Sequence, residues 1–189
     1  MMMLGPAAFT ADGQHLVATM GTSFHIIETA TGRVEKSVEH PGGHVMSLAV
    51  APDGRTFATS GWGRPIQRNL PDGQVQSTTP NHHPVCLFEL ATGRLVRELE
   101  MPTDVAGPVA FSADGKLLAI GFGRGRGEVR LMDLATWKTV GVLTDFDSTP
   151  HVMTFSADRK SLITGLNDGT ALVWDLARVL ARRARKVER

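Results

Sequence analysis

The sequence predicts an all-β fold built from four copies of one antiparallel unit. A first phrase with an Asp-centred turn occurs four times, as FTADGQHLVAT (9–19), VAPDGRTFATS (50–60), FSADGKLLAIG (111–121) and FSADRKSLITG (155–165). A second phrase follows each copy, as IIETATGR (26–33), LFELATGR (87–94), LMDLATWK (131–138) and VWDLAR (173–178). The turn aspartates at 12, 53, 114 and 158 are 41, 61 and 44 residues apart. Two intervals therefore fit a repeat of roughly 40–45 residues, and the long interval contains an insertion.

Each pair of phrases predicts four strands, which we name a to d in chain order. The segments beside the turns are short, apolar and rich in strand-forming residues. Asp-Gly at 12–13, 53–54 and 114–115 favours a tight turn between strands a and b, and Thr-Gly at 31–32 and 92–93 favours one between c and d. The segment RLVRELE (94–100) alternates apolar and charged residues, which is typical of a half-exposed outer strand.

A four-stranded unit of this kind cannot bury both of its faces alone, and stacking such units around an axis covers them, as in a β-propeller. Trp174-Asp175 in the last repeat resembles the signature of the tryptophan-aspartate (WD) repeat β-propellers, in the style of the bacterial members of that family. Ile27-Glu28, Phe88-Glu89 and Met132-Asp133 occupy the same place in the other repeats. The resemblance implies blades at about 5–44, 45–104, 105–149 and 150–177. Family members usually have more than four repeats, so we expect a partial propeller.

The resemblance also implies a set of structural residues. In the family, a Trp of strand c, a Ser or Thr of strand b, a loop His and a turn Asp stabilise each blade together. Trp174, Thr164 and Asp168 fit three of these positions in the fourth repeat, beside the signature Asp175. His40 and Thr59 fit two of them in the second repeat, and no repeat contains all four.

The fourth repeat lacks an obvious strand d, because RVLARRARKVER (178–189) follows where that strand is expected. Leu176, Val179, Leu180 and Val187 recur at helical spacing, and Arg and Ala favour helix. We therefore expect a three-stranded last blade, a basic helical tail over 178–189, a free ladder edge on strand 171–177 and Trp174 packed between blades. Two interpretations stay open. The chain is the C-terminal piece of a longer propeller, or it is a short propeller whose open edges the helix or another chain covers.

Composition narrows the class of protein. The chain has 189 residues, of which 42% are hydrophobic and 21% charged, as in ordinary globular domains. The single cysteine, Cys86, fits a reducing compartment, and no signal peptide or membrane-length apolar run is visible. We therefore expect a cytoplasmic protein without membrane contact. The net charge is only +1, so we do not expect nucleic-acid binding, although the tail is basic.

The insertion in the second repeat, GRPIQRNLPDGQVQSTTPNHHP (63–84), is polar and longer than most structureless loops. Loops of such length are usually functional or disordered. In the WD-repeat family the b–c and d–a connections share one face of the propeller, which we call the loop face. The resemblance therefore predicts a protein-binding surface there, formed by His40, His44, Arg64, Arg68, His82, His83, Arg124 and Arg126. The alternative is a variable surface loop without function.

No residue pattern predicts an enzyme, a cofactor or a metal site. GFGRGRG (121–127) looks like a phosphate loop, but a strand rather than a helix follows it. The histidines of the loop face lack the geometry and supporting ligands of a metal site. We predict a non-catalytic scaffold with an unidentified protein partner, capable of self-association through its open blade edges. The alternatives are a regulatory or sensory C-terminal module of a larger bacterial protein, for example a protein kinase, and a propeller enzyme.

Overall fold

The structure is a computed structural model that describes residues 4–63, 66–69, 74–78, 83–99, 106–123 and 127–187. Four antiparallel sheets follow one another along the chain, and each sheet corresponds to one sequence repeat. The predicted all-β fold, the four blades, the three-stranded last blade and the short C-terminal helix are confirmed.

The strands of every blade lie side by side in the order a, b, c, d. Blade 1 contains β1 (Leu4–Phe9), β2 (His15–Met20), β3 (Ser23–Glu28) and β4 (Val34–Glu39). Blade 2 begins with β5 (Val45–Val50) and β6 (Thr56–Gly61), and the insertion then forms a separate hairpin, β7 (Ile66–Asn69) and β8 (Val75–Thr78). Strands β9 (Val85–Glu89) and β10 (Leu95–Leu99) complete blade 2. Blade 3 contains β11 (Ala106–Phe111), β12 (Leu117–Phe122), β13 (Glu128–Asp133) and β14 (Lys138–Leu143), and blade 4 contains β15 (Pro150–Phe155), β16 (Ser161–Leu166) and β17 (Ala171–Asp175).

The strand register repeats from blade to blade, so each blade has two equivalent faces. On the face turned toward the preceding blade, the paired residues of strands b and c are Leu16–Ile27, Phe57–Phe88, Leu118–Met132 and Leu162–Trp174. On the face turned toward the following blade they are Val17–Ile26, Ala58–Leu87, Ala119–Leu131 and Ile163–Val173. We call these two surfaces the upstream face and the downstream face.

The core lies between the blades rather than inside any one of them. Three buried clusters join the downstream face of each blade to the upstream face of the next. The innermost strands β1, β5, β11 and β15 pack side by side in that order, and among the described residues β15 does not pack closely against β1. The four blades therefore form an open arc.

The a–b turns show why glycine follows aspartate in three repeats. Gly13, Gly54 and Gly115 have φ of 69°, 65° and 66°, a left-handed conformation that glycine adopts without steric cost. The fourth repeat places Arg159 there with φ of 63°. The fourth turn therefore has the same backbone geometry, although the Cβ of Arg159 makes this conformation unfavourable.

The last blade ends in a helix instead of strand d. Strand β17 pairs with β16 on one side only, and α1 (Leu176–Val187) follows it directly. The Asp175 carboxylate accepts the backbone N–H of Arg178 at 3.1 Å, which caps the start of α1. Leu176 and Val179 turn inward, and α1 packs mainly against β14 of blade 3. The predicted free ladder edge and the packed position of Trp174 are both confirmed.

Within the described ranges, no helix has the length and apolar character needed to cross a membrane.

Candidate interaction surface on the loop face

The structure places only part of the predicted binding surface. Arg64, His82, Arg124 and Arg126 lie outside the described residues, and Arg68 lies in β7, of which the backbone alone is described. The remaining members are three histidines, His40, His44 and His83, all at the loop end of blade 2. Their surroundings differ sharply, so they cannot share one role.

His40 is a core residue rather than a surface residue. Its ring is fully buried, and its Nδ1 accepts the Gly42 backbone N–H at 3.0 Å. The ring proton therefore lies on Nε2, which donates to the Thr59 hydroxyl at 2.7 Å. Thr59 can donate in turn to the Cys86 carbonyl at 3.4 Å. His40 thus fixes the d–a connection to strand b, as the family resemblance implies, and has no exposed atom for a partner.

Two glycines allow the backbone to close around His40. A Cβ on Gly61 would lie 2.7 Å from the Gly42 carbonyl oxygen and 2.8 Å from Cε1 of His40. A Cβ on Gly42 would lie 2.6 Å from the Pro84 ring. Both contacts are shorter than any real Cβ tolerates, so the d–a connection and the two ends of the insertion form a tightly packed support.

Trp62 lies beside this support, immediately before the insertion. Its backbone N–H donates to the His44 carbonyl at 2.9 Å, which ties the two connections together. Its side chain is 43% exposed, and its ring meets the ring of buried His83 edge to face, with 6.5 Å between the centroids. His44 is exposed beside it. The described part of the loop face therefore presents a large aromatic ring next to an imidazole.

Trp62 is not among the residues that the sequence predicts for the loop face. The sequence GWG (61–63) could have indicated this residue, because it places one of only three tryptophans next to a polar insertion. Strand patterns assign such a residue to neither face of a blade. Only the tertiary arrangement shows that it is half exposed and held at a fixed position.

The other predicted structural residues lie in blade 4. Trp174 donates its indole N–H to the Thr164 hydroxyl at 3.0 Å and packs against Phe146, with 4.9 Å between ring centroids. Phe146 comes from the d–a connection, where His40 lies in blade 2. Asp168 instead accepts the hydroxyl and backbone N–H of Thr170, which closes the b–c turn. Blade 4 is therefore stabilised by an aromatic pair where blade 2 uses an imidazole.

Burial and hydrogen bonds within the described blades shift the pKa of several titratable groups. Burial raises the pKa of the Cys86 thiol to about 12, with a smaller contribution from the charge of Glu98. The Ser112 hydroxyl, followed by the Lys116 backbone N–H, holds the pKa of Asp114 below its ordinary value of 3.8. Equivalent hydroxyl–carboxylate pairs occur in the turns at Asp12 and Asp158.

No metal centre stands out in the described ranges. No group of three or more His, Cys, Asp and Glu side chains is placed to hold a metal ion there. A groove of about 460 Å³ between blades 2 and 3 lies at the a–b turn end, opposite the loop face, and is lined by Pro52, Phe111 and Trp137 among others. The surface with the most distinctive chemistry is therefore the one around Trp62.

Comparison with known proteins supports the resemblance seen in the sequence. Residues 33–66 and 137–175 match the family model of the WD domain, G-beta repeat. The chain is 28% identical over 177 residues to the pre-rRNA-processing protein IPI3 of Mycosarcoma maydis, which covers 91% of this chain and 27% of that protein. It is 34% identical over 68 residues to the retinoblastoma-binding-like protein E of Dictyostelium discoideum, which covers 36% of this chain and 13% of that protein.

Both relatives are eukaryotic, so the bacterial style that we expected stays an expectation. The chain spans well under half the length of either relative. The two matched stretches and the four repeated blades together support a WD-repeat protein.

Proposed function

We propose that the chain is a non-catalytic WD-repeat scaffold in a reducing compartment such as the cytoplasm, and that it binds a protein partner through the loop face of blade 2. Trp62 is the centre of the proposed surface, His44 flanks it, and the β7–β8 hairpin forms its edge. The single observation that carries the proposal is a half-exposed tryptophan fixed on a closely packed support.

The support matters because binding energy depends on preorganisation. A side chain that is already fixed loses little conformational freedom on binding, so more of its contact energy appears as affinity. Trp62 is held by its backbone bond to His44 and by the His83 ring. Tryptophan is also among the residues most enriched at binding hot spots. A partner with an apolar pocket and a hydrogen-bond acceptor for the indole N–H would fit this surface.

The comparisons support a protein partner. The name of the Dictyostelium relative describes a binding-like protein for retinoblastoma protein, and the name of the Mycosarcoma relative describes a part in pre-rRNA processing. Neither name identifies the partner of this chain. The low net charge of the chain, +1, favours a protein over a nucleic acid as the partner.

Capture from an extract of the native source, followed by quantitative mass spectrometry, tests the proposal. We compare the wild-type chain with Trp62→Ser and with Val96→Ser, a matched control at an exposed valine in the outer strand β10. Loss of a hot-spot contact of about 2 kcal/mol should lower capture about 30-fold for Trp62→Ser and leave capture by Val96→Ser unchanged. Equal capture by the two variants would refute the proposed surface.

A photo-reactive residue locates the contact independently of affinity. Benzoylphenylalanine at position 44 should cross-link the same proteins that Trp62→Ser loses, and benzoylphenylalanine at position 96 should not. Cross-linking of those proteins from position 96 rather than 44 would place the partner on the outer strands and contradict the proposal.

A second candidate is a regulatory or sensory module within a larger protein, with a protein kinase as one example. The short span of the chain relative to both curated relatives supports it. The gene sequence upstream of Met1 tests it directly. A continuous reading frame that encodes a further domain is expected, and an in-frame stop just before Met1 would contradict this candidate.

A further inference from the structure

The third repeat differs from the first two at one position of the c–d turn. Gly32 and Gly93 occupy this position in blades 1 and 2, with φ of 70° and 69°. Blade 3 has Trp137 there, with φ of 56°. The Trp137 backbone N–H donates to the Asp133 carbonyl at 2.7 Å. The Gly93 N–H makes the equivalent bond, to Glu89, at 2.8 Å, so the turns have the same form.

A left-handed conformation is unfavourable for a tryptophan. Glycine adopts it without steric cost, whereas a bulky side chain in this region of φ is strained. Strained residues of this kind cluster at sites that bind ligands. The contacts of the Trp137 side chain therefore indicate what the strain serves.

The indole ring of Trp137 is held in the wall of a groove between blades 2 and 3. The ring packs against the buried cluster that joins these blades. The guanidinium group of Arg97, in β10, lies over it at 4.5 Å from the ring centroid. Trp137 is nevertheless only partly buried, and it lines the groove of about 460 Å³. This volume is within the range of sites that hold ligands.

The groove has apolar walls and an acidic border. Pro52 and Phe111 line its apolar part together with Trp137. Its charged lining residues in the described structure are Asp53 and Asp114, which lie in the a–b turns of blades 2 and 3. The two turns are neighbours, since a Cβ on the glycine after Asp114 would lie 3.9 Å from the Pro52 ring.

Each of these two carboxylates has an oxygen that can accept a further bond. Oδ1 of Asp114 accepts the Ser112 hydroxyl at 2.7 Å and the Lys116 backbone N–H at 3.1 Å. Oδ1 of Asp53 accepts the Arg55 backbone N–H at 2.8 Å. Neither carboxylate forms an ion pair with another side chain of the described residues. An ammonium or guanidinium group is the strongest donor for such an oxygen.

The equivalent groove between blades 1 and 2 has a different character. It has a volume of about 420 Å³, and its described lining contains no phenylalanine or tryptophan. The cationic side chain of Arg55 lines it, and Nε2 of His15 lies 3.4 Å from the Glu35 carboxylate. The aromatic wall and the unpaired carboxylates therefore distinguish the groove between blades 2 and 3.

We infer that the groove between blades 2 and 3 binds a peptide segment of a partner protein in which an apolar residue adjoins a lysine or arginine. The apolar side chain packs on Trp137 and Phe111, and the basic side chain pairs with Asp53 or Asp114. The complementary charge favours this occupant over an acidic or a purely apolar one. This groove lies at the opposite end of the blades from Trp62, so the inference does not depend on the proposed loop-face surface.

Selection of a displayed library of random heptapeptides on the wild-type chain, with depletion on Trp137→Gly, tests the inference. The enriched peptides should place an apolar residue beside lysine or arginine. A fluorescent copy of an enriched peptide then gives the dissociation constant by polarisation, which Trp137→Gly should raise about 30-fold. This variant restores the residue found at Gly32 and Gly93, so it should fold, and circular dichroism checks that it does.

Two charge variants test the acidic border separately. Asp53→Asn and Asp114→Asn should each raise the dissociation constant about 5-fold and weaken its dependence on salt. The asparagine oxygen can still accept the hydrogen bonds of the turn. Asp12→Asn is the matched control, because it makes the same change in the a–b turn of blade 1, and it should leave binding unchanged.

The inference is overturned by a selection that enriches no peptide or only peptides without lysine and arginine. Equal binding by the wild-type chain and a folded Trp137→Gly also overturns it. If Trp137→Gly does not fold, the charge variants decide, and an equal effect of Asp12→Asn and Asp114→Asn counts against the groove. Trp62→Ser should bind the peptide normally, so loss of binding there would place the peptide on the loop face and overturn the inference.

Discussion

His40 and His44 lie four residues apart in the same connection, and the structure assigns them opposite roles. His40→Ala should destabilise the fold, because it removes a fully buried ring with a hydrogen bond at each nitrogen. His44→Ala should leave stability unchanged, because the side chain is exposed. The pair is a matched test of burial, since both variants make the same chemical change.

The magnitude follows from the contacts that disappear. Each of the two hydrogen bonds contributes about 1 kcal/mol net, and the Gly42 N–H stays buried without its acceptor. The Thr59 hydroxyl keeps only its longer bond to Cys86. Loss of ring packing against Phe88, where the centroids are 5.8 Å apart, adds a cavity cost. We expect a loss of about 3 kcal/mol in the free energy of unfolding, which lowers Tm by about 6–12 °C in a chain of this size.

Thermal unfolding followed by circular dichroism measures both variants. A double-mutant cycle with Thr59→Val then isolates the His40–Thr59 bond, because the double variant should lose less stability than the two single variants added together. A Tm of His40→Ala within 2 °C of His44→Ala would refute the assignment of His40 to the core. Strict additivity in the cycle would refute the hydrogen bond.

Four further predictions concern single positions. Trp174→Phe should lower the free energy of unfolding, measured in urea, by about 2 kcal/mol, because it removes the bond to Thr164 and part of the ring that packs against Phe146. Arg159→Gly should raise Tm by a few degrees, because glycine relieves about 1 kcal/mol of left-handed strain, and an unchanged or lower Tm would contradict this. Cys86, with a pKa of about 12, should resist iodoacetamide at pH 8 until urea unfolds the chain. The depressed pKa of Asp114 stabilises the fold above the ordinary value of 3.8, so stability should fall as the pH drops below 3.8, and this fall should be smaller in Asp114→Asn.

The repeat and its turns could be predicted from the sequence because their causes are local. Asp-Gly favours a left-handed turn, and Gly13, Gly54 and Gly115 of the a–b turns have that φ in the structure. The absence of a fourth strand from blade 4 also has a local cause, since an Arg- and Ala-rich segment favours helix over strand. The repetition also predicted the tertiary arrangement, because similar units with two apolar faces must stack on each other.

The burial of His40 and the position of Trp62 depend on contacts that no single repeat specifies. His40 lies in a connection rich in glycine and proline, which by itself predicts an exposed loop. It is buried because Gly42 and Gly61 let the insertion close over it. The insertion itself was expected to be a loop, and cross-strand pairing between residues 66–69 and 75–78 makes part of it a hairpin. These features arise from packing between distant segments, so periodicity cannot show them.

Exposure alone does not distinguish different kinds of exposed apolar residue in this chain. Val96 and Val142 are both 49% exposed, yet they lie on outer strands, where scattered apolar side chains are normal in soluble proteins. Val173 is exposed at a register position that is buried in every other blade. Trp62 belongs to no register position of the blades, because it lies between the end of β6 and the insertion. Register therefore separates two kinds of exposed apolar residue: those at positions that are buried between blades elsewhere in the repeat, and Trp62, around which we propose that a protein partner binds.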